Sequence, residues 1–129
     1  MADRSTSTES RFRLAVRTSM MSEYRDAAGA LGAFEVSHRF TTAGALRTAL
    51  GQLPGIELDS AATSLWSASR NRFRFKNVIF EISIPFADIR IAPLEAGAVY
   101  PETEDLLRML AESLLPRWMN RARSRFFAS

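Results

Sequence analysis

The sequence contains no cysteine, which removes disulfides, thiolate metal sites and cysteine nucleophiles from consideration. Histidine occurs once, at position 38, and lysine once, at position 76. A single histidine sharply limits acid–base and metal chemistry. Charged residues interrupt every apolar segment well short of the roughly 20 residues that span a bilayer, so no membrane span is expected. The first ten residues are polar and lack the apolar core of a secretion signal, which makes the cytoplasm the expected compartment. Glycine-rich phosphate loops are missing too. Gly29-Ala30-Leu31-Gly32 and Gly44 fit neither a dinucleotide fingerprint nor a P-loop. The expectation is a protein without cofactor or metal.

What is present is the composition of a globular chain: 129 residues, 47% hydrophobic and 24% charged. That length suits one domain that buries its own core. Residues 1 to 9, rich in Ser and Thr with nothing to bury, are expected to be a disordered tail ahead of a domain over 10 to 129. The formal net charge is +3, and apart from Lys76 the basic side is arginine. Arginine forms bidentate contacts with carboxylate and phosphate, although a codon preference would produce the same excess.

Phe12, Val16, Met20, Tyr24, Ala28 and Leu31 recur near helical spacing, which predicts a helix over roughly 11 to 30. Arg11 to Arg17 also alternates as a strand would, so two readings compete there. Phe34 to Phe40 alternates cleanly and predicts a half-buried strand with Phe34, Val36, His38 and Phe40 on one face. Thr41 or Thr42 then caps a helix carrying Leu46, Leu50 and Leu53, ended by Pro54-Gly55, with a short strand over Ile56 to Leu58. The stretch from Ala61 to Ser69 reads as loop or strand.

The clearest segment follows. If Lys76-Asn77 is a two-residue turn, Phe75 faces Val78, Arg74 faces Ile79, Phe73 faces Phe80 and Arg72 faces Glu81. A slipped register with a longer loop is the alternative. Pro85 to Asp88 turns the chain into a third strand, Ile89 to Ile91, completing an antiparallel meander over 71 to 92. Pro101 with Glu102, Glu104 and Asp105 starts a helix whose stripe is Leu106, Leu107, Leu110, Leu114 and Leu115. Pro116 is expected to end or kink it, with a second helical piece beyond. The fold class is therefore α+β: a mainly antiparallel sheet with a C-terminal β-meander, and N- and C-terminal helices, the latter packed on one sheet face.

His38 shares its expected strand face with Val36 and Phe40, which favours a core histidine. A catalytic role needs a nearby carboxylate, and Glu35 points the other way. Glu102, Glu104 and Asp105 are explained by the helix dipole and solvation rather than by metal binding. Arg70, Arg72, Arg74 and Lys76 alternate along a strand opposite Phe73 and Phe75. An RNA-binding sheet instead needs basic and aromatic residues exposed on one face. Arg117, Arg121 and Arg125 fall at i, i+4 and i+8 with Arg123 beside them, flanked by Trp118, Met119, Phe126 and Phe127. Such a stripe suits a phosphate backbone, an anionic surface or an acidic protein.

The sequence thus points away from an enzyme and toward a protein-binding module, such as a small bacterial adaptor or an immunity or antitoxin-type inhibitor. Its expected contact residues are Arg117, Trp118, Arg121 and Arg125 on the basic side and Glu102, Glu104 and Asp105 on the acidic side. The alternative is a nucleic-acid-binding domain using Arg117, Arg121, Arg123 and Arg125.

Overall fold

A computed structural model describes residues 4 to 58, 72 to 95 and 97 to 127, with side chains from residue 121 onward, and those of 4 to 7 and 9, left aside. Helix α1 (Arg4–Met20) leads into strands β1 (Met21–Arg25) and β2 (Leu31–Val36), then helix α2 (Ala43–Gly51) and strand β3 (Ile56–Leu58). Strands β4 (Arg72–Phe75), β5 (Val78–Ser83) and β6 (Ile89–Pro93) precede the long helix α3 (Pro101–Phe127). The six strands form one sheet in the order β1-β2-β6-β5-β4-β3, antiparallel throughout. The expected α+β class is therefore what the chain adopts.

Alternation divides the sheet into two unlike faces. Phe73, Phe75, Val78, Phe80, Ile82, Ile89, Ile91, Phe34 and Val36 are buried in one cluster with Leu46 and Leu50 of α2, Val16 and Met20 of α1, and the leucine stripe of α3. Phe73 and Phe80, opposite each other on β4 and β5, stack with ring centroids 5.5 Å apart. Helix α3 crosses this face against β2 and is flanked by α1, which also touches β1, and α2, which also touches β3. No described residue covers the other face. There Arg72 meets Glu81 at 3.6 Å and Arg90 meets Glu35 at 3.5 Å, so charges placed opposite one another hold the open face near neutrality.

The meander matches the sequence reading in register as well as in order. Lys76 and Asn77 both have positive φ, as a two-residue turn matched to strand twist requires, and the four pairs from Phe75↔Val78 to Arg72↔Glu81 follow. Thr42 caps α2, its hydroxyl accepting from the Ala45 N–H at 3.1 Å.

Four elements depart from the reading. The first helix stops at Met20, and Met21–Arg25 is the edge strand of a hairpin, not the last turns of a helix. Met20, Tyr24 and Ala28 keep helical spacing by coincidence. The deciding signal is Asp26, whose carboxylate accepts from the Ala28 and Ala30 N–H groups, with Gly29 at φ +87° closing the turn. Over Arg11 to Arg17 the helical alternative holds. The backbone of α1 begins at Arg4 rather than near Ser10, since extending a formed helix by a few polar residues opposes little once nucleation is done.

Strand β2 begins at Leu31 and ends at Val36, so His38 lies outside it. The Phe40 N–H donates to the Ser37 carbonyl at 3.2 Å and turns the chain there. Finally, α3 passes through Pro116 unbroken. Pro116 and Glu112 are both exposed, so the carbonyl that loses its helical partner is left to water rather than buried. The readings of Ala61 to Ser69 and of Arg70 lie outside the described residues.

Candidate functional site

Where β2 leaves the sheet and β6 enters it, two loops meet. They are adjacent because β2 and β6 pair, Val36 opposite Ile89. Asp88, the last residue of the β5–β6 loop, accepts twice on its Oδ1: from the His38 backbone N–H at 3.1 Å and from the His38 ring Nδ1 at 2.8 Å. The bond to the His38 ring, seconded by the bond from its backbone, holds the Asp88 carboxyl below the usual carboxylate range, and Arg39 adds a weaker pull. His38 is thus not a core residue. Its side chain is 53% exposed, and the carboxylate that the sequence did not offer comes from fifty positions away.

The loop that Asp88 secures carries Phe86, which is 97% exposed, with Ile84 partly exposed beside it. Nothing in the domain covers this ring among the described residues. On the other side of His38 a groove of about 250 Å³ runs between the β2–α2 loop and α3. Phe40, Leu114 and Trp118 line it, with Arg39 and Arg117 contributed by the two elements that form it.

Elsewhere Arg17, Arg25, Arg72, Arg90 and Arg108 each reach a carboxylate. Arg39 and Arg117 have none within 4 Å among the described residues, as is also true of Arg11, Arg13 and Arg74.

The expected contact residues separate accordingly. Arg117 lines the groove and is exposed. Trp118 is only 2% exposed, so it belongs to the core and contributes to the groove only from beneath. Arg121 and Arg125 lie on the backbone of α3 one and two turns beyond Arg117, and on an unbroken helix these positions share a face. The acidic start of α3 is engaged within the domain. Glu104 takes a bidentate pair from Arg25 at 2.7 and 3.0 Å, which holds its carboxyl low, and Asp105 accepts from Lys76 at 3.3 Å and Arg108 at 3.0 Å. Of that group Glu102 is partly buried.

No family model matches this chain, and no curated protein or solved structure does either.

Other grooves are lined differently, and one of about 400 Å³ on the open sheet face is bordered by Glu57, Arg72, Arg74 and Ile79. One between α1 and α3, lined by Arg13, Arg17, Arg108 and Glu112, already contains its own counter-charge. Tyr100 borders a depression beside Ile79 and Leu94, where its hydroxyl donates to Glu95 at 2.8 Å, which raises its pKa. Trp66 lies outside the described residues. Among those residues no three of His, Asp and Glu come together as a metal site would require, and no helix is long and apolar enough to cross a membrane.

Proposed function

We propose that this chain is a cytoplasmic, non-catalytic protein-binding module, an adaptor or an inhibitor of the immunity or antitoxin type, and that it meets its partner through the sheet end built by His38, Phe86, Asp88 and the adjoining groove. The observation that carries this reading is Phe86. A phenyl ring 97% exposed keeps the unfavourable hydration of its apolar surface in the isolated domain, and burying it in a partner pocket would gain on the order of 2 kcal/mol. Its loop is secured at the base by the two His38 bonds to Asp88, so less freedom is lost on docking. Aromatic residues and arginines are the types that dominate binding energy at protein interfaces.

A second reading draws on the unbroken α3. With positions 117, 121 and 125 on one helix face, a phosphate backbone is the other natural counterpart.

One experiment separates the two. Tagged wild type and Phe86→Ser are used to capture partners from the native host under low salt. A stoichiometric protein retained by wild type and lost by Phe86→Ser supports the module. Captured material that is nuclease-sensitive, released steeply by salt and indifferent to Phe86→Ser contradicts it and supports the nucleic-acid reading.

A further inference from the structure

We infer that the groove beside His38 binds an acidic peptide segment that presents one large apolar side chain between carboxylates. This rests on the protein-binding reading above and names the chemistry of what that surface receives. At about 250 Å³ the groove falls below the roughly 300–1,000 Å³ of small-molecule pockets and is open along one side, which suits a single side chain of an extended segment. Its apolar lining is the half-buried Phe40, with Leu114 and Trp118 beneath the surface. That lining receives a leucine or phenylalanine.

Arg39 and Arg117 stand on the two elements that bound the groove, both exposed and neither within 4 Å of a carboxylate of the described residues. Their guanidinium groups offer paired donors to carboxylates on either side of the seated residue. Among the described residues the other titratable groups beside it are His38 and Asp88, which engage each other.

A nucleic acid fits this groove less well. Base stacking needs exposed ring faces, and Trp118 is 2% exposed. On the open sheet face Arg72 and Arg90 already meet Glu81 and Glu35, which among the described residues leaves Arg74 as the arginine there without a carboxylate within 4 Å.

The test uses fluorescein-labelled peptides and the full chain, read by anisotropy at low salt. The probe is Asp-Glu-Leu-Asp-Glu, its controls are the Asn/Gln analogue, the Leu-to-Ala analogue and a short oligo-dT. Binding of the probe is expected to weaken about tenfold or more in each peptide control and in Arg39→Ala/Arg117→Ala, and to weaken less in Arg39→Lys/Arg117→Lys, which keeps charge and loses the paired donors. Thermal midpoints of both double variants are expected to match wild type, because these side chains are exposed. Probe binding that is absent, equal to that of the Asn/Gln analogue, unchanged in the double alanine variant, or weaker than oligo-dT binding overturns the inference. A host protein captured through Phe86 that the probe does not displace leaves the module standing and overturns this assignment alone.

Discussion

His38 shows how a single residue changes meaning when its neighbours in space replace its neighbours in sequence. On a strand it would point inward; in the turn after Val36 it faces outward and meets Asp88. Because the His38 bonds lower the Asp88 pKa, they add stability that is present above the unfolded carboxylate value of about 3.9 and is lost as pH falls through the lower folded value. His38→Ala removes the ring and leaves the backbone bond, so the Asp88 titration midpoint, followed by carboxyl carbon NMR, is expected to rise part of the way to the ordinary value. Both side chains are well over a third exposed, and the loss of stability at neutral pH is expected to stay below about 1 kcal/mol. A midpoint that does not move would show that the ring plays no part in holding Asp88. No pattern in the sequence links residues 38 and 88, because their meeting depends on β2 lying beside β6, a pairing made over more than fifty positions.

At the scale of elements, the hairpin of β4 and β5 carries a conformational debt that can be measured. Lys76 and Asn77 sit at φ 48° and 69°, in the left-handed region where a side chain is opposed by about 1–2 kcal/mol, asparagine less than most. Asn77→Gly is expected to raise stability by up to about 1 kcal/mol and Asn77→Val to lower it by about 1–2 kcal/mol, in reversible urea unfolding. The reverse order would contradict the turn and with it the register. This hairpin was legible because alternation, aromatic pairing and the Arg72–Glu81 charge pair all agree on one alignment. The β1–β2 hairpin was not, since Met20 and Tyr24 maintain helical spacing across the boundary and only Asp26 and Gly29 mark the turn. Pro116 misled in the other direction. A proline costs a helix one hydrogen bond and crowds the carbonyl four residues back, and here Glu112, which carries that carbonyl, and Pro116 both face water.

Among the described residues the arrangement is one sheet face covered by three helices, one open face where Arg72 and Arg90 meet carboxylates, and one end that carries Phe86 and the groove beside Arg39 and Arg117. Composition, periodicity and capping residues were enough for the α+β class, because each element buries a stripe readable in one dimension. The site was legible in part. Arg117, expected as one of a stripe with Arg121 and Arg125, does line the groove, while Trp118 next to it turned inward and the acidic start of α3 turned to Arg25, Lys76 and Arg108. The sequence placed Phe86 in the turn from Pro85 to Asp88 but not as a contact residue, and only the finished fold shows that its ring is uncovered.

The sheet end as contact surface is tested most directly by hydroxyl-radical footprinting of the protein alone and in complex with its co-purified partner. Free, Phe86 and His38 are expected to react readily, as their exposure of 97% and 53% requires. In the complex both are expected to become strongly protected, while Tyr24 and Ile79 on the open sheet face keep their reactivity. Protection of Tyr24 and Ile79 with Phe86 still reactive would contradict the account and move the contact surface to the open face.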